Sequence, residues 1–169
     1  RNYVAVKSNC LAELKPQLAQ EWHPIKNGRI TPSDVTPFYS KKVWWKCNKG
    51  EDHEWQASVD SRRTGNGCPV CSGHKIVLSN CLATLEPELT KQWHPTKNND
   101  LTPFDVSPGS GKKVWWKCDE GDDHEWRVAV HNRTSSNGCP VCAGKKVTPS
   151  NCLANTNAVL TKQWHPTKN

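Results

Sequence analysis

The chain has 169 residues, a formal net charge of +7 at pH 7 and only 34% hydrophobic residues, with nine tryptophans and nine cysteines. This composition excludes one large aliphatic core and predicts small units that depend on metal ions, disulfides or a neighbour. No apolar run approaches the roughly 18 residues that a membrane-spanning helix needs, and no signal peptide is recognised, so we expect no membrane partner.

The most regular feature of the sequence is an internal repeat with a step of 71 residues, which carries Cys47 to Cys118 without insertion or deletion. Repetition of this kind defines the folding unit. We therefore predict a first unit at residues 8–78, a second at 79–149 and the start of a third at 150–169. The chain begins without methionine and stops inside the third copy, so we interpret it as a piece of a longer protein.

Each unit is predicted to open with a helix, because apolar residues recur there at helical offsets. In the second unit these residues are Leu82, Leu85, Leu89 and Trp93. Pro95 ends the predicted helix, because the residue before a proline is pushed out of the α region. A shorter helical turn is predicted to begin at the Thr-Pro pairs 31–32 and 102–103, where the threonine acts as N-cap.

A β-hairpin is predicted to follow in each unit. The β-branched and aromatic run at 42–47 predicts a strand. Period two puts its odd-numbered residues, including Trp45 and Cys47, on one face and its even-numbered residues, including Trp44, on the other. A second strand is predicted to begin at His53. Together with the helices, these hairpins predict the α+β fold class, as small zinc-stabilised modules in tandem.

The cysteines require a choice between disulfides and metal. Their count is odd, and CPVC occurs at 68–71 and 139–142. A Cys-x2-Cys pair suits two ligands of one zinc ion, and four donors recur at the same offsets in both units. The sequence therefore predicts two structural Zn²⁺ ions as cofactors, each in a closed Cys3His site. The predicted ligands are Cys47, His53, Cys68 and Cys71 in the first unit and Cys118, His124, Cys139 and Cys142 in the second.

An alternative ligand set stays open at this point. Cys81 comes ten residues after Cys71, so it could serve as the fourth ligand and leave His53 outside the coordination sphere. We favour His53, because free cysteine is also a common small core residue.

His23, in a Trp-His-Pro segment, is interpreted as a polar residue at a helix end. Metal-bound thiolates imply a reducing intracellular compartment, the cytoplasm or the nucleus.

The basic residues indicate what kind of partner the chain binds. Lysines flank one tryptophan on the strand face opposite the first zinc ligand, and an arginine precedes each CPVC knuckle. Aromatic rings among lysines suit base stacking and phosphate contact, so DNA or RNA is the predicted partner. The candidate nucleic-acid-binding residues are Lys42, Trp44, Lys46 and Arg62 in the first unit and Lys113, Trp115, Lys117 and Arg133 in the second. In the competing interpretation, Trp44 packs under a helix and the lysines only solvate the strand.

A second functional class therefore stays open, in which the units are rigid spacers or docking surfaces for a protein partner. Acidic residues on the lysine-bearing face would favour it.

An enzyme is not predicted, because four protein donors close a zinc site and no catalytic triad or phosphate-binding glycine loop is present. Strand alternation also turns Glu54 away from the metal. We expect no small-molecule substrate.

Several strings in the chain resemble the zinc-ribbon or treble-clef repeat family, which occurs in tandem. These strings are SNCLATLEPELTKQWHPTKN, KKVWWKC, HEW and NGCPVC, and they extend over two units and the start of a third. The resemblance implies one zinc ion in each unit, held by the Cys3His sets named above. It also implies a link with nucleic acid through fold and fusion to nuclease-like domains. The chain departs from the family where two acidic residues, at 51–52 and 122–123, lengthen the turn before the histidine.

Overall fold

The computed structural model describes residues 4–165 and 167–168 of the chain. The chain divides into two compact units, residues 1–79 and 80–169. Each unit is a small α+β module in which short helices accompany one antiparallel hairpin. Within the described residues, none of the helices has the length and apolarity that crossing a bilayer requires.

The two units share five elements in the same order: two short helices, the two strands of a hairpin and a third helix. The first has α1 at Leu11–Leu14, α2 at Pro16–Ala19, β1 at Lys42–Lys46, β2 at Glu54–Ser58 and α3 at Val59–Arg63. A 3₁₀ turn at Leu78–Asn80 leads into the second. The second has α4 at Leu82–Leu85, α5 at Pro87–Thr90, a 3₁₀ turn at Pro103–Asp105, β3 at Lys113–Lys117, β4 at Glu125–Ala129 and α6 at Val130–Thr134. Then come α7 at Leu153–Thr156 and α8 at Ala158–Lys162.

The predicted hairpins are confirmed, including their two faces. Strand β1 pairs with β2 so that Trp45 lies opposite Trp55 and Trp44 opposite Gln56. Trp45 and Trp55 are buried, whereas Trp44 is half-buried on the other face and Gln56 is exposed. Strands β3 and β4 repeat this register, with Trp116 opposite Trp126, and both of these side chains are buried. The alternation of side chains along each strand therefore separates a core face from an outer face.

Tryptophan supplies the largest side chains of the core. Trp45 is fully buried, and the ring of Trp22 meets it edge to face, with the ring centroids 5.4 Å apart. Leu11 from α1 and Val59 from α3 are also fully buried in this cluster. The second unit repeats the cluster around Trp116. Few aliphatic residues are needed, because each indole buries a large area.

The helical segment of each unit differs from the prediction. The apolar spacing predicts one helix through Leu89, but the structure has two short helices, α4 and α5, that break at Glu86. Glu86 has φ −134° and ψ 61°, and it precedes Pro87, the first residue of α5. The break follows from the steric clash that removes the residue before proline from the α region. The first unit breaks at Lys15 in the same way.

An extended segment after α2 covers the free edge of β1. Trp22 forms an antiparallel bridge with Trp45, and the backbone N–H of His23 donates to the carbonyl of Trp44. Asn27 extends this edge with its side chain. Its Oδ1 accepts from the Trp44 N–H at 2.7 Å, and its Nδ2 donates to the Trp44 carbonyl at 2.9 Å. One amide side chain thus satisfies both backbone groups of a strand residue.

We expect the double variant N27A/N98A to destabilise the protein, because Asn98 makes the same pair of hydrogen bonds with Trp115. Each unit should lose about 1–3 kcal/mol of unfolding free energy, the cost of leaving a partly buried backbone group without its partner. Denaturant unfolding of the zinc-loaded protein, followed by tryptophan fluorescence, measures this loss. The control N48D introduces the aspartate that the second unit has at position 119. A double variant as stable as this control would contradict the role of the amide.

Candidate metal centre

The predicted donors come together in each unit. Cys47 follows β1, His53 precedes β2, and Cys68 and Cys71 lie on the knuckle after α3. One donor atom from each of the four residues lies within 4.8 Å of all the others. The corresponding group in the second unit is Cys118, His124, Cys139 and Cys142. The hairpin turn and the knuckle thus meet at a single point.

The spacing of these donors fits a tetrahedral zinc ion. With Zn–S near 2.3 Å and Zn–N near 2.0–2.1 Å, a tetrahedron places its donor atoms roughly 3.6–3.8 Å apart. The Cys47 and Cys71 sulfurs are 3.7 Å apart, and the Nδ1 atom of His53 is 3.4 Å from the Cys71 sulfur. The Cys68 sulfur lies 3.7 Å from the same nitrogen. These side chains would hold two structural zinc ions in the chain, one in each unit, with each histidine binding through Nδ1.

Neither a disulfide nor the alternative ligand set fits the geometry. Sulfur atoms 3.7 Å apart are far beyond the length of about 2.05 Å of a disulfide bond. Cys81 does not join the group around Cys71, and the predicted set with His53 is the one that forms. Cys81 is instead fully buried at the start of α4, and Cys10 and Cys152 precede α1 and α7 in the same way.

The crowding of the sulfurs explains why this group suits a cation. Burial, followed by the neighbouring sulfurs of Cys47 and Cys68, raises the pKa of the Cys71 thiol to about 11. The same causes raise the pKa of Cys142 to about 12. Three thiolates this close repel one another, so a doubly charged ion between them is what favours their deprotonated form.

A glycine that recurs in both turns makes room for the histidine. A Cβ atom on Gly50 would lie 2.5 Å from Cδ2 and 2.7 Å from Nε2 of His53, closer than real contacts allow. The same atom on Gly121 would lie 2.8 Å from Cδ2 of His124. Each glycine thus lets the turn, which two acidic residues lengthen, pass close to the imidazole.

Arg62 and Arg133 lie inside the units, although the sequence predicted them as phosphate contacts. Arg62 is buried, with its guanidinium about 5.1 Å from the ring centroids of both Trp45 and Trp55. It donates to the carbonyl of Asn66 and to the carboxylate of Glu21. These contacts assign it to the core, because each indole ring attracts the guanidinium through its face.

Arg133 has the same position in the second unit, between Trp116 and Trp126. Burial lowers its pKa, and the sulfurs of Cys139 and Cys118 act in the opposite direction. A guanidinium near the metal-binding sulfurs offsets the net −1 charge of a zinc ion with three thiolates. Its position before the knuckle was visible in the sequence, but its burial was not.

The remaining predicted residues lie together on the outer face of each hairpin. Lys42 is exposed, Lys46 is partly exposed, and the half-buried Trp44 lies between them on β1. The ammonium group of Lys26, which the sequence analysis missed, lies 4.8 Å from the centroid of the Trp44 ring. The second unit has Lys113, Trp115 and Lys117 in the same places, with Lys97 at 5.0 Å from the ring.

Acidic residues on this face would favour a protein partner over nucleic acid. Of Asp52, Glu54 and Asp60, only Glu54 lies on it. Asp52 turns toward Ser79 and Asp60 pairs with Arg63, whereas Glu54 lies opposite Lys46. Hydrogen bonds from Lys26 and then from His23 lower the pKa of Glu54 to about 2. Glu54 points away from the metal, as predicted.

His23, the histidine of the first Trp-His-Pro segment, lies outside the metal-binding group, and hydrogen bonds occupy both of its ring nitrogens. Nδ1 of His23 accepts from the backbone N–H groups of residues 25 and 26, both at 3.1 Å. Its Nε2 consequently carries the proton and donates to Glu54 at 2.9 Å. His94 binds Glu125 in the same way in the second unit. The buried imidazole ties the segment after α2 to β2.

Comparison with known families agrees with this architecture. A family model described as a probable treble clef zinc finger domain matches the chain twice, over residues 18–74 and 89–145. Each match contains one complete Cys3His set. The chain therefore belongs to the probable treble clef zinc finger domain family, as two modules in tandem. No curated protein matches the chain.

Removal of zinc is expected to unfold both units, because the metal joins the turn to the knuckle. Elemental analysis of protein purified without chelators should find one zinc ion for each of the two donor groups. A strong chelator should then abolish the near-ultraviolet circular dichroism of the tryptophans, and added zinc should restore it. Metal-free protein with an unchanged spectrum would contradict a structural role for the ion.

The substitution G50A is expected to weaken zinc binding in the first unit, because its Cβ would displace His53. Overpacking of this kind costs about 1–3 kcal/mol. Competition with a chromophoric chelator measures the affinity of each site in the full chain. The matched control is G67A, because a Cβ atom at Gly67 meets nothing within 4 Å. Equal zinc affinity in the two variants would contradict close packing of Gly50 on the imidazole.

Proposed function

We propose that the two treble clef modules form a non-catalytic array that binds DNA or RNA, mainly through phosphate contacts. The observation that carries this proposal is the position of Trp44 and Trp115. The other tryptophans of each hairpin are buried in the core, whereas these two lie on the outer face among lysines. A small unit that depends on tryptophan for its core has little reason to place one outside it.

The surroundings of Trp44 favour an anionic ligand. Lys26 covers part of the ring, and the exposed Lys42 has no ion pair among the described residues. Lys46 pairs with Glu51, whose side chain is 97% exposed, so the pair is weak and easily exchanged for a phosphate. A half-buried indole between lysines suits contact with a base or sugar, while the lysines reach the phosphate backbone.

The second unit offers a more basic version of this face. Arg127 lies opposite Trp115 on β4, where the first unit has Gln56. Trp115, Arg127, Lys97 and Lys113 line an open groove with a volume of about 510 Å³. Asp100 also lines it, so the groove is not uniformly positive. An arginine beside an exposed indole suits bidentate contact with phosphate.

The overall charge agrees with this proposal. Each zinc ion with three thiolates contributes −1, so two loaded centres lower the formal charge from +7 to +5. A moderate positive charge favours polyanions.

Four protein donors at each zinc ion support the absence of catalysis, because a catalytic zinc keeps one position open. The six cysteines of the two metal centres suit a reducing compartment such as the cytoplasm or the nucleus, where thiolates stay available to bind the ion.

One observation favours a second candidate function, the docking of a protein partner. Leu14 and Leu85 occupy equivalent positions in the two units, and their exposed fractions are 52% and 51%. A leucine that is exposed in both copies offers the same apolar contact twice. The array would then act as a scaffold rather than as a binder of nucleic acid.

The double variant K42E/K113E is expected to weaken nucleic-acid binding and its dependence on salt. Loss of two phosphate contacts should lower the slope of log affinity against log salt by about 1.4–1.8. Fluorescence anisotropy of zinc-loaded protein with single- and double-stranded DNA and RNA, at several ionic strengths, measures both effects.

The control K15E/K49E makes the same change in charge at positions where the second unit already has Glu86 and Glu120. It should reduce affinity less than K42E/K113E, and zinc content should be equal in all three proteins. Equal losses in the two variants would mean that only net charge matters and would contradict a defined face. No binding to any probe at low salt would contradict the proposal and favour protein docking at Leu14 and Leu85.

A further inference from the structure

A serine beyond the knuckle contacts the histidine ligand in the first unit. Ser79 is the last residue of that unit, and its Oγ lies 3.3 Å from Nε2 of His53. The same hydroxyl donates to Oδ1 of Asp52 at 2.7 Å. The backbone N–H of Ser79 donates to the other carboxylate oxygen at 2.9 Å. The serine is thus held by two hydrogen bonds against the side of the imidazole that faces away from the sulfurs.

The second unit repeats two of these contacts. The Oγ of Ser150 lies 3.4 Å from Nε2 of His124, and its backbone N–H donates to Asp123 at 2.8 Å. The hydroxyl also lies 3.1 Å from Oγ1 of Thr148, a contact that the serine of the first unit does not share. Agreement between two units with different neighbouring residues points to the serine–histidine contact as the common feature.

The direction of the hydrogen bonds follows from the metal geometry. Nδ1 of His53 faces the sulfurs and would bind the metal, so Nε2 carries the proton of the neutral imidazole. Because the Ser79 hydroxyl gives its own proton to Asp52, its oxygen is free to accept from Nε2. In the first unit, the result is a chain from carboxylate to hydroxyl to imidazole, whose Nδ1 faces the metal-binding sulfurs. Partners of this kind fix the orientation of a ligating histidine and raise its basicity.

We propose that Ser79 and Ser150 are positioning residues for the two zinc centres, and that each centre is completed by the first residues of the following repeat. Both serines belong to the Ser-Asn-Cys-Leu-Ala segment with which the next copy begins. A unit cut at the boundary of the sequence repeat, after residue 78, contains all four ligands but lacks the hydroxyl. The zinc affinity of one copy therefore depends on the presence of the next.

The test uses the full zinc-loaded chain with the substitutions S79A and S150A, separately and together. Alanine removes the hydroxyl but keeps the backbone N–H that binds the aspartate, so the turn itself should remain. Chelator competition should show about 10–100-fold weaker zinc binding at the affected site, the usual effect of losing such a partner. Nitrogen-15 NMR of the imidazole should show faster exchange of the Nε2 proton of His53 in S79A and of His124 in S150A.

Two further variants separate positioning from a general effect on structure. S79T keeps the hydroxyl and should restore both zinc affinity and protection of the Nε2 proton. S72A is the matched control, because Ser72 adjoins the ligand Cys71 while the second unit has Ala143 there. The proposal is overturned if S79A binds zinc as tightly as S72A. It is also overturned if S79A and S79T lose affinity equally while the Nε2 proton stays protected.

Discussion

The tetrahedral Cys3His group is the constraint on which each unit depends, because it joins two segments that otherwise have little to hold them together. A two-stranded hairpin is marginal in water by itself, and the helices of each unit are only four or five residues long. The metal fixes the hairpin turn to the knuckle, and this closure brings Trp45 and Trp55 under α3. Arg62 then lies with its guanidinium about 5.1 Å from the centroids of both rings, in cation–π contact with each.

The parts of the fold that depend on local spacing were predictable from the sequence. Strand alternation identified the buried face of β1, and the repeated offsets identified the four ligands, because both follow from geometry over a few residues. Pro87 also carries a local signal, because its ring excludes Glu86 from the α region, and this clash overrides the apolar spacing. The structure therefore breaks the helix that the spacing predicts as continuous.

What the sequence did not reveal depends on contacts between distant residues. Arg62 was predicted as a nucleic-acid contact, and only the fold shows that it is buried against two indole rings. Asn27 and Ser79 act on Trp44 and His53, which lie 17 and 26 positions away along the chain. Their one visible signal was recurrence in both units, which indicates that a residue is needed but not what it does.

The dependence of one copy on the next has a consequence for how such arrays evolve. Ser79 and Ser150 are separated by 71 residues, the length of one repeat. Duplication or deletion of one whole repeat length therefore leaves every internal zinc centre with the same neighbouring residues. Unequal recombination can thus lengthen or shorten the array without a folding penalty at the junction. A breakpoint elsewhere in the step is equally harmless, provided that it falls at the same place in both parents. Selection on array length is thereby separated from selection on the stability of each module.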